Sequence, residues 1–323
     1  MAKLSQNVKE IIKTAAFLII VGILIFFFMI YPLNRTKATM GRSNIDDYNP
    51  DSLVANDISA FIEAGICDTS LATTPDITFD TFRVETDGLT NITCLHLFPS
   101  IDKDSVKGTV FLLHDDGFDR DAVVPMAQVF IDSGFNVVAY DQRGAGRSTG
   151  KYRGEGQYEA NDLQEIIRYL DLRNNIVHPL VIVGKSLGAD AALLCAQSEE
   201  RIDGIAAISP YLSSTRWLNI LKQKYDMMWF PFSRTIMWWW YNIRSSYAAP
   251  YRELKDIRPV NCPTLLIVDN KAIKSAEVVR LKELSKTKLL HIKPKQTEED
   301  TLFLDIFTFV EKLRAQEQKQ SIN

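Results

Sequence analysis

Residues 180–197 read LVIVGKSLGADAALLCAQ, and this stretch restricts the possible folds more than any other part of the chain. Val181, Ile182 and Val183 form a short apolar, β-branched run of the kind found in a buried parallel strand. The run stops at Gly184-Lys185-Ser186-Leu187-Gly188 and resumes at helical spacing with Ala191, Ala192, Leu194 and Cys195. Strand, G-x-S-x-G, helix is the context of a nucleophile elbow. So sharp a turn brings the serine backbone against neighbouring chain, which demands small residues two positions to either side. It lifts the Ser186 hydroxyl above the sheet edge, and the first N–H groups of the following helix offer a partial positive charge there.

The rest of the chain repeats that alternation. Ile77 to Glu85 and Asn91 to Phe98 read as strands joined by Asp87-Gly88, a hairpin signal. Thr109 to His114 (TVFLLH) is an apolar strand running into Asp115-Asp116-Gly117, followed by helical spacing from Asp121 to Ser133. Phe135 to Tyr140 is a further buried strand, leading into a glycine-punctuated loop, Asp141 to Ser148. A helix is expected from Tyr158 to Leu172, then the elbow, then a strand at Ile205 to Ser209. After an interruption the order resumes with Pro263 to Val268, a helix near Ser275 to Leu284, a strand at Lys288 to Ile292 and a last helix over Glu298 to Arg314. Strands alternating with helices imply a largely parallel sheet with helices on both faces, here preceded by an antiparallel hairpin. That α/β domain spans 76–315, with a polar tail over 316–323 expected to fray.

The interruption, about 210–256, holds all five tryptophans together with Tyr225, Met227, Met228, Phe230 and Phe232. Its position between two strands makes it a lid-like insertion over the carboxyl edge of the sheet. It either covers that edge or offers an apolar patch to lipid.

The N-terminus has a different character. After a short flank, 1–13, no charge occurs from Thr14 to Asn34. An apolar run of about 20 residues is long enough to cross a bilayer as one helix. The exit Tyr31-Pro32-Leu33-Asn34-Arg35 lacks an A-x-A-like cleavage site, so an uncleaved anchor is expected, with a signal peptide as the alternative. Residues 35–75 read as a connector. Lys3, Lys9 and Lys13 nearly balance Arg35, Lys37 and Arg42 across the span. The short first flank favours a cytoplasmic N-terminus and an extracytoplasmic C-terminal domain. A net charge of −3 leaves no basic footprint for nucleic acid. The sequence offers no metal-ligand cluster and no phosphate-binding glycine loop, so neither metal nor cofactor is expected.

Taken in order, these motifs resemble the α/β-hydrolases, of the membrane-anchored serine-hydrolase and serine-aminopeptidase-like kind. His114-Asp115-Asp116-Gly117 stands at the family's H-G-x-G turn, Asp141 to Ser148 matches D-x-R-G-x-G-x-S, and Gly184 to Gly188 is the elbow. The strand at Pro263 to Ile267 is similar to the one preceding the family's acid. The resemblance implies Ser186 as nucleophile, with the N–H groups of Leu187 and Asp116 lining an oxyanion hole. It also implies an ester, thioester or amide substrate, for which the aromatic insertion would suit an acyl chain or other small apolar group.

The sequence departs from the family at three points. The acid is expected near Ala272, whereas the nearest carboxylate is Asp269. The turn after the last strand, Lys293 to Thr297, has no histidine. The family turn has glycine after its histidine, whereas Asp115 and Asp116 put two carboxylates where negative charge should develop on the substrate oxygen. Of the four histidines, His96, His114, His178 and His291, only His114 ends a strand on the edge that carries Ser186. It is the remaining candidate for a base, or a buttress of the oxyanion turn. An incomplete triad implies weak or absent hydrolysis; the alternative is a non-catalytic protein binding a ligand or partner in the same cleft. Lys185 or Lys271 as base in a Ser–Lys pair is a further option.

Overall fold

The computed structural model describes residues 13–20, 22, 77–150, 153–224, 252–286, 288–295 and 299–321. They fall into two units, one within 1–40 and 215–251, the other within 41–214 and 252–323.

The larger unit is built on an eight-stranded sheet. Its strands are β1 (Ile77–Thr86), β2 (Thr90–Pro99), β3 (Thr109–Leu113), β4 (Asn136–Tyr140), β5 (Leu180–Lys185), β6 (Gly204–Ile208), β7 (Thr264–Val268) and β8 (Leu290–Pro294). Their spatial order is β1-β2-β4-β3-β5-β6-β7-β8. β1 and β2 pair antiparallel, β2 meets β4 antiparallel, and every pairing from β4 to β8 is parallel. The hairpin turns at Asp87 and Gly88 with φ of 46° and 72°, the paired positive values of a type I′ turn, which Asp-Gly adopts at little cost.

Central strands β3 to β7 are buried on both faces, so their side chains divide between two cores. On one face Phe111, Leu113, Ile182 and Leu266 pack with helices α2 (Gln157–Asp171), α3 (Leu187–Cys195) and α6 (Ala276–Leu284), through Leu163, Ile166, Ala189 and Val278. On the other, Val110, Leu112, Val181 and Ile267 pack with α1 (Val124–Asp132) and α7 (Glu299–Ser321), through Phe130, Ile306 and Val310. Two more helices complete the chain order: α4 (Ser214–Lys224), which lies within the aromatic insertion and, from Thr215, in the smaller unit, and the four-residue α5 (Asn270–Ile273).

Most expected elements are present within one or two residues of their predicted ends. Two depart further: the helix expected from Asp121 begins at Val124 after a 3-10 turn over Arg120–Val123, and α7 continues to Ser321 instead of ending near Arg314. Ala, Gln, Glu and Lys dominate that stretch, and such residues lose little on entering a helix.

Outside the larger unit, residues 13–20 and 22 are helical, and Phe17, Leu18, Ile19 and Ile20 are each more than half exposed. Among the described residues no helix is long and apolar enough to cross a membrane. The remainder of the predicted span, the connector 35–75 and the aromatic residues 225–251 lie outside the described residues.

Candidate functional site

Parallel strands ending together create a common rim, and Ser186 sits on it directly after β5. Its backbone has φ 48° and ψ −106°, a conformation costing a non-glycine residue on the order of 1–3 kcal/mol. The surroundings hold it there. Ser186 N–H donates to Ile208 O on β6 at 2.8 Å, and Ser186 O accepts from Asp190 N–H at 3.1 Å. A Cβ at Gly184 would run into the Gly188 carbonyl, and one at Gly188 would come within 2.7 Å of Leu113. The glycines are thus required by close approach of chain to chain, as the motif implies.

Leu187 begins α3, so its N–H has no acceptor within the helix. The expected second oxyanion donor is differently placed. Asp116 N–H donates to Asp115 Oδ1 at 2.7 Å. The two carboxylates that the sequence sets beside the serine are both paired: Asp115 lies 3.8 Å from Lys185 Nζ, and Asp116 forms an ion pair with Arg153. Lys185 is thereby turned toward Asp115 and the exposed ring of Phe118, whose centroid is 5.8 Å away.

All four histidines can be located. His96 pairs with Val138 in the middle of the sheet and is buried. His178 precedes β5 at the opposite edge, its Nδ1 hydrogen-bonded to Asp203 at 2.5 Å. His291 is level with Leu265, near the start of β7, and exposed. His114 follows Leu113, which is level with Gly184, and so lies on the serine's edge. Both its ring nitrogens are engaged by the main chain, however. Nδ1–H donates to Asp115 O at 2.8 Å, and Nε2 accepts Gln142 N–H at 2.9 Å. The Gln142 side chain also donates to His114 O at 2.5 Å. Burial lowers the ring's pKa to about 4, as desolvation disfavours the imidazolium. Of the two roles expected of His114, these bonds accord with the buttress: they tie the turn after β3 to the loop after β4.

Asp269 follows β7 on the same rim. It is exposed, and its carbonyl, rather than its side chain, caps α5 by accepting Ala272 N–H at 2.8 Å. Lys271 lies on that same short helix and is exposed.

The loop Asp141 to Ser148 is scaffold. The Asp141 carboxylate accepts the Arg120 and Arg147 N–H groups, each at 3.0 Å. Arg143 forks onto Asp162 of α2 at 2.7 and 2.5 Å and reaches Asp87 of the hairpin turn at 3.1 Å. One guanidinium therefore ties hairpin, loop and helix together.

Four residues of this region escaped the sequence reading. Tyr211 lies three residues beyond β6, and burial together with Asp115, Asp116 and Asp190 raises the pKa of its hydroxyl, with Ser186 opposing. Asp190, on α3, accepts the Tyr211 and Leu212 N–H groups at 2.6 and 2.9 Å. Arg252 Nη2 lies 3.3 Å from the Asp190 carboxylate and donates to Glu155 O at 2.9 Å. The two ends of the aromatic insertion meet here: Ser214 N–H donates to Arg252 O, and Arg252 N–H to Ser214 Oγ, both at 2.9 Å. Glu155 is buried with φ 51°. Desolvation raises its pKa to about 8, opposed by Ser214 and Arg252 and reinforced by Asp190 and Glu159. The one usable signal was a lone acid, Asp190, one helical turn after the serine in an otherwise apolar helix.

Comparison with known proteins agrees with this architecture. The profile of the family described as serine aminopeptidase, S33, matches residues 104–258. An esterase of Pyrococcus furiosus superposes with a TM-score of 0.58 at 18% identity, covering 84% of this chain and 98% of its own. Brefeldin A esterase, a bacterial homologue of human hormone sensitive lipase, gives 0.52 at 15% identity, covering 88% and 94%. The α/β hydrolase GrgF from Penicillium sp. sh18 gives 0.55 at 15%, covering 74% and 99%. At such identities the likeness concerns the fold. In sequence, YqkD of Bacillus subtilis (strain 168), described as uncharacterized, is 41% identical over 68 residues, 21% of this chain and 22% of that protein's length.

Proposed function

We propose that the chain, which has the α/β-hydrolase fold and matches the serine aminopeptidase model over residues 104–258, is a membrane-tethered protein that holds Ser186 in a ligand cleft without the proton relay of rapid hydrolysis. It binds a small apolar or acyl-bearing carbonyl compound and turns it over slowly or not at all. One observation carries this reading: the only histidine on the serine's edge, His114, has both ring nitrogens committed to main chain. A missing triad member costs on the order of 10⁴-fold in rate.

The competing reading is an active serine hydrolase acting on an ester, thioester or amide. It is favoured by the strained Ser186 backbone, since such strain persists chiefly at functional sites. A fluorophosphonate probe on the full chain in detergent separates the two, with Ser186→Ala as control. The proposal expects no labelling above the control within the time a competent esterase needs for completion. Rapid labelling of the parent alone would establish the hydrolase.

Tethering is supported by the charge-free run from Thr14 to Asn34 and by the helical, exposed apolar residues at its start. In this reading the C-terminal domain is extracytoplasmic, and Trp229 and Phe230 of the insertion are the residues to dip into the lipid interface.

A further inference from the structure

The opposite edge of the sheet, where the parallel strands begin, holds a second grouping of polar side chains. His178 precedes β5, Asp203 precedes β6, and Glu317 lies in the last turns of α7. Their separation along the chain hides the cluster from a reading of sequence. In the fold, one ligating atom from each lies within 4.8 Å of the other two. The sheet fixes two of the three. Asp203 N–H donates to Leu180 O at 2.9 Å, and Leu180 N–H returns a bond to Asp203 Oδ2 at 2.6 Å. His178 Nδ1–H donates to that same oxygen at 2.5 Å, so Oδ1 is left for another partner.

Glu317 is the unsatisfied member. Its Oε2 is buried and meets no hydrogen-bond partner among the described residues, which costs free energy that a partner would recover. A cavity of about 440 Å³ opens beside it, lined by His178, Glu317, Lys107 and Arg314 among others. These two cations do not supply the partner: both turn to Glu311, Lys107 at 3.6 Å and Arg314 at 3.1 Å. Two carboxylates therefore share one imidazole. Burial, and after it Asp203, raises the Glu317 pKa, with His178 opposing.

We infer that His178, Asp203 and Glu317 bind a divalent first-row metal ion, zinc being the best match, and that the ion fastens the end of α7 to the sheet. One imidazole nitrogen with two carboxylate oxygens suits zinc, whereas calcium and magnesium favour oxygen alone. At metal–ligand distances of about 2.0–2.2 Å, donors around one ion lie within roughly 4.2 Å of each other. The three side chains meet that condition after a small contraction of their widest pair. Water from the cavity completes the coordination. The imidazole ligates in its neutral form, so the proton it shares with Asp203 passes to solvent as the ion enters. Ser186 lies at the other edge of the sheet and takes no part.

The test uses the full chain in detergent, free of any histidine tag and stripped with EDTA, titrated calorimetrically with zinc chloride alone. The parent should show one saturable site. His178→Ala and Glu317→Gln should each weaken it by roughly tenfold or more. His291→Ala, which removes the exposed histidine on β8, should leave it unchanged. Glu317 is partly exposed near the end of the last helix, so its variant keeps the fold even where His178→Ala does not. Zinc should also slow hydrogen exchange of the amides over 315–321 in the parent and not in Glu317→Gln. A parent without a saturable site overturns the inference, as does equal affinity in parent and Glu317→Gln. Loss of binding in His291→Ala would put the ion elsewhere and overturn it too. Saturable binding that leaves exchange over 315–321 unchanged overturns the fastening of α7.

Discussion

Glu155 shows how much one carboxyl group can reveal about the region behind the serine. Its pKa is raised to about 8 by burial, whereas in the unfolded chain it titrates near the ordinary glutamate value. Between roughly pH 4.5 and 8 the unfolded state has lost this proton and the folded state has kept it. Stability from this group is therefore complete below pH 4.5 and is lost as pH rises toward 8. Glu155→Gln removes the titration. Melting curves of variant and parent should coincide near pH 4.5 and separate progressively, the variant becoming more stable by on the order of 3 kcal/mol at pH 8. A constant difference across that range would show that the carboxyl does not titrate as placed. Ser186, Leu187 and the two glycines were legible in sequence because their spacing is imposed by close packing of backbone. Tyr211 was not, because nothing local distinguishes a tyrosine after a strand from any other. The loss of the Asp116 donor was equally hidden: the sequence displayed the two carboxylates, but only their orientation shows which N–H one of them consumes.

The elbow helix α3 does more than present the serine. Through Asp190 it gathers the loop after β6 and the start of the segment after the aromatic insertion, accepting two N–H groups and facing Arg252. Asp190→Asn keeps the size but replaces a charged acceptor of several bonds by an amide with one acceptor oxygen. It should cost about 2–3 kcal/mol, seen as a lower urea midpoint at unchanged slope. An unchanged midpoint would mean that the loop is held by other contacts. A lone acid in an alanine-rich helix ordinarily marks a solvent-facing side, which is why this function was not legible. Strands β3, β4, β5 and β7 were easier to recognise, since burial on both faces leaves an unbroken apolar run. β8 alternates Ile292 with the polar His291 and Lys293, and its observed start lies two residues beyond the expected one. The last helix outran its expected end because its final turns follow helix propensity rather than an apolar stripe.

At the scale of the whole molecule, the order of apolar runs and helical stretches was sufficient to anticipate the sheet, because parallel strands require crossovers and each crossover needs its helix. The tether is a proposal at this scale. The full chain should remain with membranes after alkaline carbonate washing, and a chain beginning at residue 77 should be released; release of both would remove the anchor. A different freedom follows from the paired bonds between Ser214 and Arg252. They close the chain on itself where it leaves the sheet domain and where it returns, so the registration of β6 against β7 is set without reference to what lies between. Changes of length or composition between Ser214 and Arg252 are therefore expected to leave that registration intact.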